Sequence, residues 1–152
     1  MEKNNIDLSE IRELIPHREP FLYLDELENI QKLKQATGIK RFSDKELFFD
    51  GHFPGHPVVP GVILVEMMAQ TAAALIAFSI RDETFDKIVY LMNIESSKFR
   101  KPVFPNEKIQ ANVAALRSKG RVWRFEGKSF NEKNELVCSS KWSAMIMDRN
   151  NE

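Results

Sequence analysis

A chain of 152 residues, 43% hydrophobic and 29% charged, has the size and make-up of one soluble domain with a sizeable core. Its 22 basic residues balance 22 acidic ones, which argues against general nucleic-acid binding, since that usually shows as a strong basic excess. A lone cysteine, Cys138, rules out an intramolecular disulfide and a cysteine-rich zinc site and points to a reducing compartment, the cytoplasm.

The N-terminus, "MEKNNIDLSEIRELI", lacks a long apolar stretch and is not expected to be a secretory signal. Residues 7–14 read as a short helix. Asp7 can cap its start, Glu10 follows three residues later as in a capping box, and Pro16 ends it. "FLYLDELENI" and "QATGIKRF", between Phe21 and Phe42, alternate apolar and polar residues and read as two strands. Residues 43–60, with prolines at 54, 57 and 60, are expected to be mostly loop.

Val62 to Ile80 then forms the most apolar run of the chain, rich in Ala, Leu and Met and opened by Pro60 and Gly61, as a helix would be. "RDETFD" closes it with charge. Beyond Lys87, "KIVYLMNI" reads as a buried strand. "EKIQANVAAL", "RVWRFEGKSF" and "ELVCSSKWSAMIM" each place apolar residues on one side, with turns at Gly120 and at 131–134, and the last five residues are expected to fray. The pattern has no internal repeat, linker or low-complexity segment. One helix that is apolar all round must be buried on several sides, and an antiparallel sheet with one apolar face needs a cover. The economical arrangement is an α+β fold, residues 1–152 as a single domain with the sheet curled around the helix.

One carboxylate, Glu66, interrupts the apolar helix. Three readings stand side by side. The segment is long enough for a membrane span, but Glu66, Gln70 and Thr71 within two turns and the missing aromatic belts count against it. It is also the length of a plain core helix whose acid has found a partner. Or Glu66 is a working acid: burial raises a carboxyl pKa and makes it useful in proton transfer near neutrality. The free N–H groups at the helix start, by Gly61, would then hold a developing negative oxygen.

His52 and His56 are four apart, but Pro54, Gly55 and Pro57 forbid the helix that would turn this spacing into a metal site, so none is expected. His52 lies in a proline-stiffened loop leading to the helix start, which suits a general base held in a fixed position. His17 reads as a structural or surface histidine. No G-x-S-x-G motif signals serine-nucleophile chemistry.

Three motifs occur in order: "LIPHREPFLYLDEL" (14–27), "GHFPGHPVVPGVILVEMMAQ" (51–70) and "KFRKPVFPNEKI" (98–109). Together they resemble bacterial (3R)-hydroxyacyl-[acyl-carrier-protein] dehydratases of the FabZ type, over residues 8 to 148. The resemblance implies the hot-dog fold and loss of water from a β-hydroxyacyl thioester to give a trans-2-enoyl thioester in fatty-acid elongation, with no cofactor. It places the catalytic histidine at His52, the catalytic glutamate at Glu66, and the helix-start glycine that polarises the thioester carbonyl at Gly61. It implies a homodimer whose sites take the histidine from one subunit and the glutamate from the other, assembling further as a trimer of dimers.

The substrate would ride on an acidic acyl carrier protein. Lys98, Arg100 and Lys101, or Arg117, Lys119, Arg121 and Arg124, offer it a basic landing site; a solvated strand face is the alternative for both clusters. The chain departs from the family pattern at Glu19, Glu26, Asn93, Glu95 and Asn106, where the family carries an aromatic residue, an arginine, "GID" and a glycine. Relatives that also isomerise the double bond carry Asp at the position of Glu66, so glutamate favours the non-isomerising type. A hot-dog thioesterase and a non-catalytic acyl-binding protein are the competing functions.

Overall fold

The computed structural model describes residues 3–81 and 87–149. The short helix α1 (Leu8–Leu14) begins where the sequence places it: the Asp7 carboxylate accepts from Glu10 N–H at 3.0 Å. The other half of the capping box is not made. The Glu10 side chain turns instead to Lys3 and, at 3.9 Å, to Arg81 just past the long helix.

Six strands follow: β1 (Glu26–Gln31), β2 (Gln35–Arg41), β3 (Lys87–Phe99), β4 (Lys108–Lys119), β5 (Val122–Phe130) and β6 (Leu136–Asp148). They form one antiparallel sheet in the order β1-β2-β4-β5-β6-β3. The long helix α2 (Gly61–Ile80) packs against all six strands and α1. This is the sheet curled around a helix expected from the apolar helix and the one-sided strands, and the hot-dog arrangement that the family resemblance implies. Ile109, Ala111 and Val113 of β4, Phe125 of β5 and Cys138, Trp142 and Ala144 of β6 are buried, in the alternating register read from the sequence. Although α2 is long and apolar enough to cross a membrane, the sheet covers most of it.

How closely sheet and helix approach is visible at Gly38 of β2. A Cβ there would lie 2.1 Å from Thr71 Oγ1 and 2.8 Å from Leu24 Cδ2. Only glycine lets this strand reach the helix. Asn106 sits at φ +70°, a left-handed conformation that asparagine tolerates better than most residues. That explains how it stands where the family has glycine.

Two readings need correction, those of Phe21–Leu24 and of β3, whereas the mostly-loop reading of 43–60 holds. Phe21–Leu24 is not part of a strand. Tyr23 N–H donates to Gln70 Oε1 (2.7 Å) and Gln70 Nε2 donates to Phe21 C=O (3.0 Å), so a buried side chain satisfies this backbone in place of a ladder. Residues 43–60 are loop except for a 3₁₀ turn at Leu47–Asp50. The apolar strand β3 is not buried: it is an edge strand 13 residues long, with Tyr90, Leu91, Met92, Ile94 and Phe99 all exposed. Its composition fits a surface awaiting cover as well as it fits a core. The charged segment after α2 (82–86) and residues 150–152 of the tail lie outside the described residues.

Candidate active site

Glu66 sits one turn into α2. Its carboxylate accepts from Gln70 Nε2, four residues on, at 2.9 Å. Gln70 is itself fixed: it is fully buried, and its amide also bonds the backbone of Phe21 and Tyr23. The turn-to-turn spacing thus holds the acid in one rotamer through a donor locked on both ends. His17 approaches from the loop after α1, with Nε2 3.7 Å from Glu66 Oε1. Burial raises the Glu66 carboxyl above its ordinary range, only partly offset by the Gln70 hydrogen bond. Burial, with a smaller push from Arg18, lowers the His17 imidazole. Both shifts oppose charge here: Glu66 is pushed toward its protonated form and His17 toward its neutral one.

The carboxyl opens on a cavity of about 240 Å³. Its walls are one face of α2 (Glu66, Ala69, Gln70, Ala73), the Pro16–His17 loop, and residues of β3 and β6 including Trp142. Two residues of this lining carry a buried nitrogen, His17 Nδ1 and Trp142 Nε1, with no hydrogen-bond partner among the described residues. His17 is the site member that the sequence reading left as structural. Its signal was the upstream PHR motif, whose distance from Glu66 in sequence hid their contact.

His52 is held from several directions. Its ring Nδ1 lies 2.9 Å from Val58 C=O, while Val58 N–H donates back to His52 C=O at 3.0 Å. His52 N–H donates to Phe48 C=O (3.0 Å), and the Phe53 ring stacks on the imidazole at 4.0 Å between centroids. A carbonyl can only accept, so Nδ1 carries a proton, and in the neutral ring Nε2 presents a lone pair. These bonds and the stacked ring fix the loop that carries the imidazole.

Gly61 opens α2 after Pro60. Among the described residues no acceptor is recorded for its N–H, as is usual in a first helical turn. The Phe99 ring lies over it: a Cβ at position 61 would stand 2.8 Å from two ring carbons.

Within one chain these groups do not form one site. His52 neither lines the Glu66 cavity nor bonds Glu66. Cys138 is buried and its thiol is pushed up to about 11 by desolvation, so it is no nucleophile. His56 packs edge-on to Phe104, and no metal-ligand cluster occurs among the described residues. Of the basic residues, Lys101 pairs with Glu135 and Arg124 grips Glu95 with two bonds; Lys98, Arg100, Arg117, Lys119 and Arg121 have no ion pair among the described residues.

The chain was compared with known proteins. The FabA-like domain family matches residues 15–140. A 3-hydroxyacyl-[acyl-carrier-protein] dehydratase FabZ of Acidiphilium cryptum is 42% identical over 148 residues, covering 97% of this chain and 89% of that protein. The protein of the same name from Gluconobacter oxydans is 44% identical over 143 residues, covering 94% and 84%. Among solved structures, the dehydratase heterocomplex ApeI:P of Xenorhabdus doucetiae superposes with TM-score 0.77 at 15% identity, covering 91% of both chains. A Thermus thermophilus member of the thioesterase superfamily superposes with TM-score 0.62 at 13% identity, covering 79% and 85%. At those identities the two structures bear on the fold alone.

Proposed function

This chain belongs to the FabA-like family, and we propose that it is a dehydratase of the FabZ type, converting (3R)-hydroxyacyl groups on acyl carrier protein to trans-2-enoyl groups in fatty-acid elongation. The observation that carries this reading is Glu66: a carboxyl held by Gln70 and biased to its protonated form, facing a cavity with an otherwise mostly apolar lining. A thioesterase needs an activated water or nucleophile, whereas dehydration needs an acid that meets a leaving hydroxyl.

In the proposed reaction, neutral His52 takes the C2 proton at Nε2. Gly61 N–H and the positive end of the α2 dipole stabilise the negative charge that develops on the thioester oxygen. The C2–H electron pair becomes the C2–C3 double bond. Glu66, or a water it orients, gives a proton to the C3 hydroxyl, which leaves as water. Transfer of the proton from His52 back to Glu66 resets the site; a route in which the histidine carries both protons remains the alternative.

His52 and Gly61 of one protomer and Glu66 of its partner would build each site. The separation of His52 from the Glu66 cavity within one chain supports this, as does β3. An edge strand of 13 residues that exposes Tyr90, Leu91, Met92, Ile94 and Phe99 is a ready surface for pairing with a second copy. Three such dimers would form a hexamer. We place the protein in the cytoplasm, with the acidic carrier protein docking on one of the basic clusters.

The test is a crotonyl thioester assay that follows the enoyl absorbance and free thiol together. Hydration without thiol release is expected. Thiol release would assign the protein to hydrolysis, and neither signal would assign it to ligand binding.

A further inference from the structure

We propose that the closed far end of the Glu66 cavity, where Ile76 and Ile146 meet Ala73, limits the acyl tail to short and medium lengths. The inference rests on the dehydratase reading, which puts C3 of the substrate beside Glu66.

The cavity has a direction. Its Glu66 end carries the carboxyl and the His17 imidazole, 3.7 Å apart. A ligand hydroxyl there can hydrogen-bond the carboxyl. Further along, Ala69 and Ala73 continue the same face of α2, opposite Val89 and Ala144, and the lining turns apolar. A ligand with a hydroxyl followed by an alkyl tail fits this order.

The passage then stops. A second hollow shares Pro16, His17, Ala73 and Val89 with the first and runs on past Ile76, Ala77 and Ile146 to Ile80 and Lys87. Only about 10 Å³ of it is open, the limit for a single water, against about 240 Å³ in the first. At 1.5 Å per helical residue, Glu66 to Ala73 is about 10 Å of usable length, and the filled stretch from Ala73 to Ile80 is about 10 Å more. Ile76 and Ile146 therefore stand where a longer chain would have to go, and Lys87, paired with Asp148 at 2.7 Å, closes the end with charge.

The experiment measures kcat/KM over a ladder of 3-hydroxyacyl carrier-protein thioesters from 3-hydroxybutyryl to 3-hydroxypalmitoyl. Wild type, Ala73→Leu and Ile146→Ala are compared. Leucine at 73 fills existing space, and alanine at 146 trims a half-buried side chain, so both folds should survive. Wild type is expected to fall off beyond medium lengths. Ala73→Leu should lower the medium-to-short ratio at least tenfold, and Ile146→Ala should raise the long-to-medium ratio at least tenfold. Turnover with three superimposed profiles, or equal loss at every length, overturns this inference alone. No turnover by wild type at any length overturns the functional reading, and the inference with it.

Discussion

The imidazole Nδ1 of His52 lies 2.9 Å from the carbonyl oxygen of Val58, and the backbone of the same two residues closes a second bond at 3.0 Å. The seven residues from His52 to Val58 are thereby tied into a clamp that sets both the tautomer and the direction of the ring. A base held this way loses little freedom on reaching the transition state.

The first prediction concerns that clamp. His52→Ala should lower kcat by about a hundred- to ten-thousandfold, the range for a lost general base. Its stability should change by only about 0.5–1.5 kcal/mol, the net worth of one hydrogen bond. Nitrogen NMR of the wild type should show that the neutral ring carries its proton on Nδ1. A neutral ring protonated on Nε2 instead would contradict the assigned role.

Glu66 carries a stability signature as well as a catalytic one. Its folded-state pKa is raised by burial, so between the ordinary carboxylate value and the raised one the folded protein binds more protons than the unfolded chain. Its contribution is fully present below the unfolded pKa and is lost as pH rises through the folded pKa. Glu66→Gln keeps the acceptor for Gln70 and removes the titration. The variant should therefore gain stability over wild type as pH rises from acid to neutral, then hold a constant margin, while losing activity. Chemical denaturation across that pH range is the measurement; a margin that shrinks with rising pH would mean the carboxylate is stabilised in the fold.

Gly61 permits a separation of shape from hydrogen bonding. Alanine and proline both add a Cβ that presses on Phe99, whose ring is half exposed and has room to shift. Only proline removes the N–H, and proline is well accepted at a first helical position. Gly61→Pro should fall below Gly61→Ala in kcat by about a hundred- to a thousandfold, the cost of one oxyanion donor. Equal activities in the two variants would remove the backbone N–H from the mechanism.

The β3 edge should hold the dimer. Ile94→Lys puts a charge on an exposed apolar position of the edge strand, a change that discourages strand pairing. The variant should sediment as a monomer, keep its circular dichroism and lose most of its activity, because each site would lack one of its halves. A fully active monomer would contradict the shared site.

Much of this was legible in the sequence, for reasons that differ by element. The helix α2 followed from its composition and its Pro60–Gly61 start, and the inward faces of β4, β5 and β6 from apolar periodicity, because a single burial direction imprints a single pattern on a strand. Phe21–Leu24 misled because Leu22, Tyr23 and Leu24 are buried as strand residues would be, while the Gln70 side chain and not a neighbouring strand bonds the backbone. The exposure of β3 was invisible because an apolar run looks the same whether its cover is in the same chain or another. Glu66 stood out as the one carboxylate in an apolar helix. Its neighbours Gln70 and His17 did not: a glutamine one turn on is unremarkable in sequence, and His17 reaches the acid only through folding.

Mixing inactive variants tests most directly whether His52 and Glu66 meet across two protomers. His52→Ala and Glu66→Gln are each dissociated, combined in equal amounts and reassociated. In a mixed dimer, one site carries both substitutions and the other carries neither. Random pairing should then restore about a quarter of wild-type activity, since half the dimers are mixed and each has one intact site. If mixed dimers form and no activity returns, the two groups do not complete a site between subunits, and the proposed site architecture is wrong.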